Sequence, residues 1–73
     1  MYMRTLDLLG KILSNGYHAE IKDTSYGLLL ILKADHPLSS FVGGMIRNDG
    51  FKFKYCYNES SGKLVIIFFK DNK

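Results

Sequence analysis

Apolar residues recur along the chain with two different spacings, one typical of helices and one of strands, and the same succession of spacings occurs twice. A stretch with helical spacing is followed by a glycine, an alternating stretch, a polar break and a continuous apolar run. Residues 8–17 align with residues 42–51 without a gap. The repeat predicts a single domain built of two αββ units, over about residues 3–34 and 36–71. The clearest aligned pairs are Gly10 with Gly44, Ile12 with Ile46, Gly16 with Gly50 and Tyr17 with Phe51.

Each unit is predicted to begin with an amphipathic helix. The first helix is expected over residues 5–15, with Thr5 as its N-cap. The second is expected to begin at Pro37, which suits a first helical turn, with Asp35 or His36 as the cap. Apolar residues at i, i+3 and i+4 spacing form one stripe on each helix. The stripe contains Leu6, Leu9, Ile12 and Leu13 in the first helix and Leu38, Phe41, Val42, Met45 and Ile46 in the second.

Four strands follow from the same pattern. The first strand of each unit, over residues 17–22 and 51–57, alternates between apolar and polar residues and is therefore half-buried. The second strand of each unit, over residues 28–32 and 64–69, is apolar on both faces, which favours the middle of a sheet. The predicted fold class is α+β: a four-stranded antiparallel sheet in the order 1-2-4-3, with both helices on one face.

Alternation in the outer strands predicts which side chains face away from the helices. Lys22, Lys52 and Lys54 are expected to form a basic sheet face, together with His18, Glu20 and Cys56. The side chains expected on the helix side are Tyr17, Ala19, Ile21, Phe51, Phe53, Tyr55 and Tyr57.

The central strands are expected to add an apolar strip to that basic face. A strip rimmed by charge is typical of a homodimer interface or of a docking surface for another macromolecule. The alternative is that the phase of the pattern is shifted and that the strip belongs to the core. Its residues are Leu29, Ile31, Val65, Ile67 and Phe69.

A second candidate binding surface lies on the outer face of the second helix, at Ser40, Gly43, Gly44 and Arg47. Glycines inside a helix cost about 1 kcal/mol each relative to alanine. They permit a close approach by a partner's backbone or by a phosphate, and the Arg47 guanidinium can form two parallel hydrogen bonds with such a phosphate. The alternative is that they are tolerated surface residues.

Composition narrows the class of protein. Ten Lys and Arg against seven Asp and Glu give a net charge of +3, which permits contact with a polyanion without requiring it. The single cysteine excludes an internal disulfide and a cysteine-based zinc site, and it suits a reducing compartment, so a cytoplasmic location is expected. No signal peptide is evident, and the apolar runs are far shorter than the roughly 20 residues of a membrane helix, so no membrane contact is expected.

Catalytic chemistry is not indicated by the pattern. His18 and His36 have no second ligand at metal spacing, and Cys56 has no nearby base. No phosphate-binding loop is present. No enzyme activity, metal, cofactor or small-molecule substrate is therefore predicted. Aromatic residues interleaved with Lys52 and Lys54 suggest nucleic-acid binding, although strict alternation would put aromatics and lysines on opposite faces.

Residues 42–53, VGGMIRNDGFKF, resemble the LAGLIDADG motif of homing endonucleases through Gly44, Ile46, Asp49 and Gly50. The stretch LLGKILSNG resembles it more weakly. The resemblance implies an αββαββ core, and it implies that Asp49 corresponds to the acid that binds the catalytic metal in that family. The first copy has Asn15 at that place. A helix ending in Asn/Asp-Gly-aromatic before a strand is also a frequent local design.

The sequence thus predicts a small non-enzymatic binding or regulatory protein that contacts a protein partner or a second copy of itself. Compact chains of this style are typical of phage or mobile-element inhibitors that occlude a larger protein. The alternative is a small basic nucleic-acid-binding protein that uses Lys22, Arg47, Lys52 and Lys54. A degenerate LAGLIDADG relative is the third hypothesis.

Overall fold

The computed structural model describes residues 3–71, which form two helices and four strands in the order αββαββ. Each unit contributes one helix and two strands, as the repeated pattern predicts. The elements are α1 (Met3–Ser14), β1 (His18–Asp23), β2 (Gly27–Ala34), α2 (Ser40–Asn48), β3 (Lys52–Asn58) and β4 (Leu64–Asp71).

The strands form one antiparallel sheet in the order β1-β2-β4-β3, which confirms the predicted order. The two strands that are apolar on both faces, β2 and β4, pair at the centre, where Ile31 lies opposite Ile67. The alternating strands β1 and β3 take the edges. The strands that are apolar on both faces thus occupy the central positions, where each strand has a hydrogen-bonded neighbour on either side.

The core lies on one side of this sheet. Buried side chains from both helices join the even-numbered side chains of β2 and β4 in one cluster. Val65 and Ile67 are also buried, but they do not belong to that cluster. The face that carries these odd-numbered side chains is called the open face below. The helix-side cluster consists of Leu8, Ile12, Tyr17, Ala19, Leu28, Leu30, Leu32, Ala34, Val42, Ile46, Phe51, Ile66 and Phe68.

The first helix is rotated from the predicted stripe. Thr5 is fully buried inside α1, so the prediction that it caps the helix is wrong. Its hydroxyl donates to the Asp49 carboxylate, 3.1 Å away, and this bond lets a polar residue occupy the buried stripe. Leu6 and Leu13, which the pattern placed on the stripe, are about half exposed, at 49% and 46%.

The second helix begins later than predicted. Ser39 is the N-cap of α2, and its hydroxyl accepts a hydrogen bond from the Val42 N–H at 3.2 Å. The Tyr17 hydroxyl accepts from the Ser39 N–H at 2.9 Å and donates to the Pro37 carbonyl at 3.3 Å. Pro37 therefore lies in the entry segment that Tyr17 holds, and the residues before it do not cap the helix.

Both helices end in the same way. Gly16 and Gly50 have φ values of 90° and 101°, in the left-handed region that glycine adopts most easily. One residue later, the Tyr17 N–H donates to the Ile12 carbonyl and the Phe51 N–H donates to the Ile46 carbonyl, at 3.4 and 3.3 Å. The aligned positions of the repeat thus carry equivalent hydrogen bonds.

Candidate binding surface on the open sheet face

The edge strand β3 contains a register shift between Phe53 and Tyr55. Before the shift, Phe53 lies opposite Phe68, a member of the helix-side cluster. After it, Tyr55 lies opposite Ile67. Because residues paired across an antiparallel ladder project from the same face, this one-residue bulge moves the side chains that follow to the opposite face.

The prediction that Tyr55 and Tyr57 face the helices is therefore wrong. Tyr55 shares the open face with its partner Ile67, and Tyr57 shares it with its partner Val65. Cys56 is moved the other way, because it lies opposite Ile66 of the helix-side cluster, and its thiol is exposed. The prediction from strict alternation is wrong after the bulge because it assumes a strand without an extra residue.

The three predicted basic residues do lie on the open face. Lys22 lies opposite Leu29 on β2, which in turn lies opposite Phe69 on β4, and Lys52 is the next residue in the same row. Lys54, at the bulge, extends over the Phe69 ring with its Nζ 5.1 Å from the ring centroid. The bulge thus brings together the tyrosines and the lysines that alternation had separated.

The two tyrosines form a pair of nearly parallel rings. Their centroids lie 6.3 Å apart and their planes differ by 23°. Tyr55 is 51% exposed and Tyr57 is 49% exposed, so about half of each side chain is open to solvent. Behind them, Val65 and Ile67 are buried within the single chain. The predicted apolar strip is consequently narrower than the sequence suggests, with Leu29, Ile31 and Phe69 half-buried on the same face.

Charges of both signs surround these rings. Lys33, in the row of Tyr57 and Val65, forms an ion pair with Glu59 at 3.3 Å. Glu20, in the row of Tyr55 and Ile67, is the acidic residue of β1 on this face. The half of the face around Phe69 carries the three predicted lysines, and the acidic residues Glu20 on β1 and Asp71 on β4 each lie two positions from this row in register.

The outer face of α2 is less open than the sequence predicts. Gly43 is buried, and a Cβ at this position would lie 3.6 Å from the Arg47 guanidinium and 3.6 Å from the Leu38 side chain. Gly44 has open space around its Cα, and Ser40 is exposed. Arg47 therefore lies over one glycine and leaves the other clear. It also lines an open cleft of about 370 Å³ together with Gly50, Phe51, Lys52, Phe53 and Phe68.

Asp49 is a structural residue in this fold. It is 7% exposed, and its carboxylate accepts from the Thr5 hydroxyl and contacts two cations. Arg4 Nε lies 3.2 Å from one carboxylate oxygen, and Lys70 Nζ lies 3.3 Å from the other. These contacts join the end of α2 to α1 and to β4. Within residues 3–71, no group of three or more His, Cys, Asp or Glu side chains is arranged to hold a metal ion.

Comparison of the chain with protein-family models, with curated proteins and with solved structures finds no match. The resemblance to the LAGLIDADG motif therefore rests on the residues of the motif alone. In the part of the chain that the structure describes, no helix is long and apolar enough to cross a membrane.

Proposed function

We propose that this chain is a small non-enzymatic binding protein, that its working surface is the open face of the sheet, and that its partner is an anionic macromolecule. One observation carries the proposal: the bulge in β3 gathers Tyr55 and Tyr57 on the same face as Lys52 and Lys54. Half-exposed aromatic rings beside lysines provide contact area and charge for a large partner, but no chemistry for breaking bonds.

The position of Asp49 supports a binding role over an enzymatic one. This is the acid that the LAGLIDADG resemblance would assign to a metal. Its carboxylate oxygens are held by Arg4, Thr5 and Lys70. A carboxylate held in this way between two cations contributes to the fold, and a divalent cation would have to displace those contacts.

Occlusion of a larger protein, in the manner of a phage or mobile-element inhibitor, is one form that this function takes, and it requires an acidic patch on that protein. A second copy of the chain carries a net charge of +3, so it would be a different occupant, one that uses the half-buried Leu29, Ile31 and Phe69 of the same face instead of the lysines. Sedimentation at micromolar protein concentration distinguishes these two occupants, because a monomeric chain would rule out the homodimer and leave the acidic protein.

A reducing compartment such as the cytoplasm is the proposed location, since the exposed Cys56 is the chain's one thiol.

The surface is tested with heparin, a generic polyanion. We expect the wild-type chain to be retained and eluted by salt. The double variant Lys52→Glu/Lys54→Glu should elute at clearly lower salt, because each reversal replaces an attraction with a repulsion on the open face. The measurement is the salt concentration at elution, with circular dichroism as the check that each variant is folded.

A matched control changes the net charge equally on the helices. The double variant Lys11→Glu/Arg47→Glu should elute closer to wild type than the open-face variant does, since both residues are exposed on α1 and α2. If the helix variant loses more retention, the working surface is the outer face of α2 and the open-face proposal fails. Equal losses would mean that only net charge matters, which also contradicts it.

A further inference from the structure

Resting on the proposed function, we infer that the anionic partner is single-stranded nucleic acid. Its bases stack on Tyr55 and Tyr57, and its phosphates contact the lysines around Phe69. The inference depends on a placement that only the bulge produces, because without it the rings and the ammonium groups would lie on opposite faces of β3.

The tyrosine pair has the geometry of a stacking platform. The rings are nearly parallel, at 23°, and about half of each side chain is exposed. Every base has a flat π-face, so such rings bind bases of any identity. Val65 and Ile67 lie next to them in the ladder and are already buried. The rings therefore lie beside packed side chains that restrict their motion, which lowers the entropic cost of ordering the rings when a base binds.

The spacing of the lysines suits a nucleic-acid strand that runs across the four β-strands. The row through Phe69 has Lys22 at one edge and Lys52 at the other, three strand spacings apart, which is about 14 Å. Lys54 lies between this row and the tyrosines, over the Phe69 ring. A flexible polyanion can meet all three ammonium groups while its bases turn toward the rings.

Single strands fit this surface better than duplexes do. The major groove of B-form DNA admits an α-helix or a two-stranded ribbon, whereas this surface is one face of a four-stranded sheet. A duplex also hides the base faces on which Tyr55 and Tyr57 would stack. An acidic protein segment could meet the lysines, but it would lack the series of flat rings for which a paired tyrosine platform is suited.

The test is fluorescence anisotropy with a labelled 12-nucleotide oligo(dT), its oligo(U) counterpart, and a 12-base-pair duplex, at 50 and 200 mM salt. We expect both single strands to bind more tightly than the duplex. Replacing Tyr55 or Tyr57 by alanine should weaken single-strand binding by about fivefold or more for each ring. The matched control is Tyr26→Ala, because Tyr26 is 80% exposed in the β1–β2 turn and lies outside the open face.

The role of the lysines is tested separately, through the dependence of the binding constant on salt concentration. For Lys52→Gln/Lys54→Gln, the slope of log K against log salt should fall by roughly 0.7 for each phosphate that the variant no longer neutralises. The control Lys11→Gln/Lys63→Gln removes the same charge from α1 and from the β3–β4 turn and should keep the wild-type slope.

Three results would overturn the inference: no binding of either single strand, equal or tighter binding of the duplex, or tyrosine variants that bind as wild type does. If retention on heparin still depends on Lys52 and Lys54 while single strands do not bind, the proposed function stands and the partner is an acidic protein. If heparin retention fails as well, the open face is not the working surface.

Discussion

The two αββ units hold a helix against the sheet in the same way, but their edge strands differ. In β1 the ladder with β2 is regular, and Ala19 is buried toward the helices with Ile21 partly buried beside it. In β3 the ladder is interrupted by a bulge, and all seven residues are exposed. One edge therefore completes the core, whereas the other presents side chains to solvent on both faces. A single additional residue at an edge changes what a surface displays while the core keeps its packing.

The helix ends show a second difference between the units. Asn15 is exposed, and its side-chain amide donates to the Lys11 carbonyl at 2.7 Å, at the end of the helix that precedes it. Asp49, the aligned residue, is buried and contacts side chains of α1 and β4. The Asn15 side chain contacts only its own unit, whereas the Asp49 side chain joins the two units.

The largest expected effect comes from removing this tie. Asp49→Ala deletes the carboxylate that contacts Arg4, Thr5 and Lys70, and we expect it to lower the free energy of unfolding by about 3 kcal/mol. Asn15→Ala in the first unit should cost well under about 1 kcal/mol, because its hydrogen bond is local and exposed. Urea unfolding of the two variants and wild type provides the measurement.

Asp49→Asn refines that result. It preserves the shape of the side chain and removes the negative charge, so it should recover part of the stability if the hydrogen bond from Thr5 contributes beside the ion pairs. If Asp49→Ala and Asn15→Ala cost the same, Asp49 does not tie the units.

A smaller effect should come from deleting one residue from each edge strand. Deletion of Lys54 removes the bulge and leaves a regular ladder with Tyr55 still opposite Ile67, so the free energy of unfolding should change by less than about 1 kcal/mol. Deletion of Glu20 breaks the alternation of β1 and forces either Ala19 or Ile21 out of the core side, at a cost of about 2 kcal/mol.

Thermal and urea unfolding of both deletion variants measure the difference. The reverse order, with Lys54 the costlier deletion, would show that β3 depends on its bulge for stability and would contradict the view of β3 as a displaying edge.

The smallest effects are expected where the two units agree. Gly10 and Gly44 occupy aligned positions inside the helices, and a Cβ at either would meet no atom within 4 Å apart from its chain neighbours and the backbone of its own helix. Gly10→Ala and Gly44→Ala should each raise the free energy of unfolding by up to about 1 kcal/mol, because alanine is the better helix former. Heparin retention of Gly44→Ala should equal that of wild type, whereas a loss would favour a close-approach site on α2.

Much of the fold could be predicted from residue patterns, because burial demands differ strongly between elements. Two strands that are apolar on both faces fit only the centre of a sheet, so the strand order followed from residues 28–32 and 64–69. The helix ends at Gly16 and Gly50 were equally plain, since the left-handed conformation favours glycine.

Contacts between distant residues could not be predicted in this way. Thr5 has the properties of an N-cap, and nothing near it in sequence indicates that Asp49 accepts its hydroxyl. The bulge left only an indirect signal. Aligned residues of the two units are 34 positions apart from the helices as far as Ala19 and Phe53, whereas Leu32 and Phe68, which pair with these two residues in their own units, are 36 apart. The second unit therefore has to absorb two more residues, and the pattern does not show that one of them lies inside β3.

The contacts between the two units decide how far one half can replace the other. Tyr17 uses its hydroxyl to hold the entry to α2, and its aligned counterpart, Phe51, has no hydroxyl. Asp49 uses its charge to hold α1, and its counterpart, Asn15, has none. The halves are therefore complementary rather than interchangeable. A chain built of two copies of the first half would lack the Asp49 carboxylate, and a chain built of two copies of the second half would lack the Tyr17 hydroxyl, so neither symmetric chain could form both linkages.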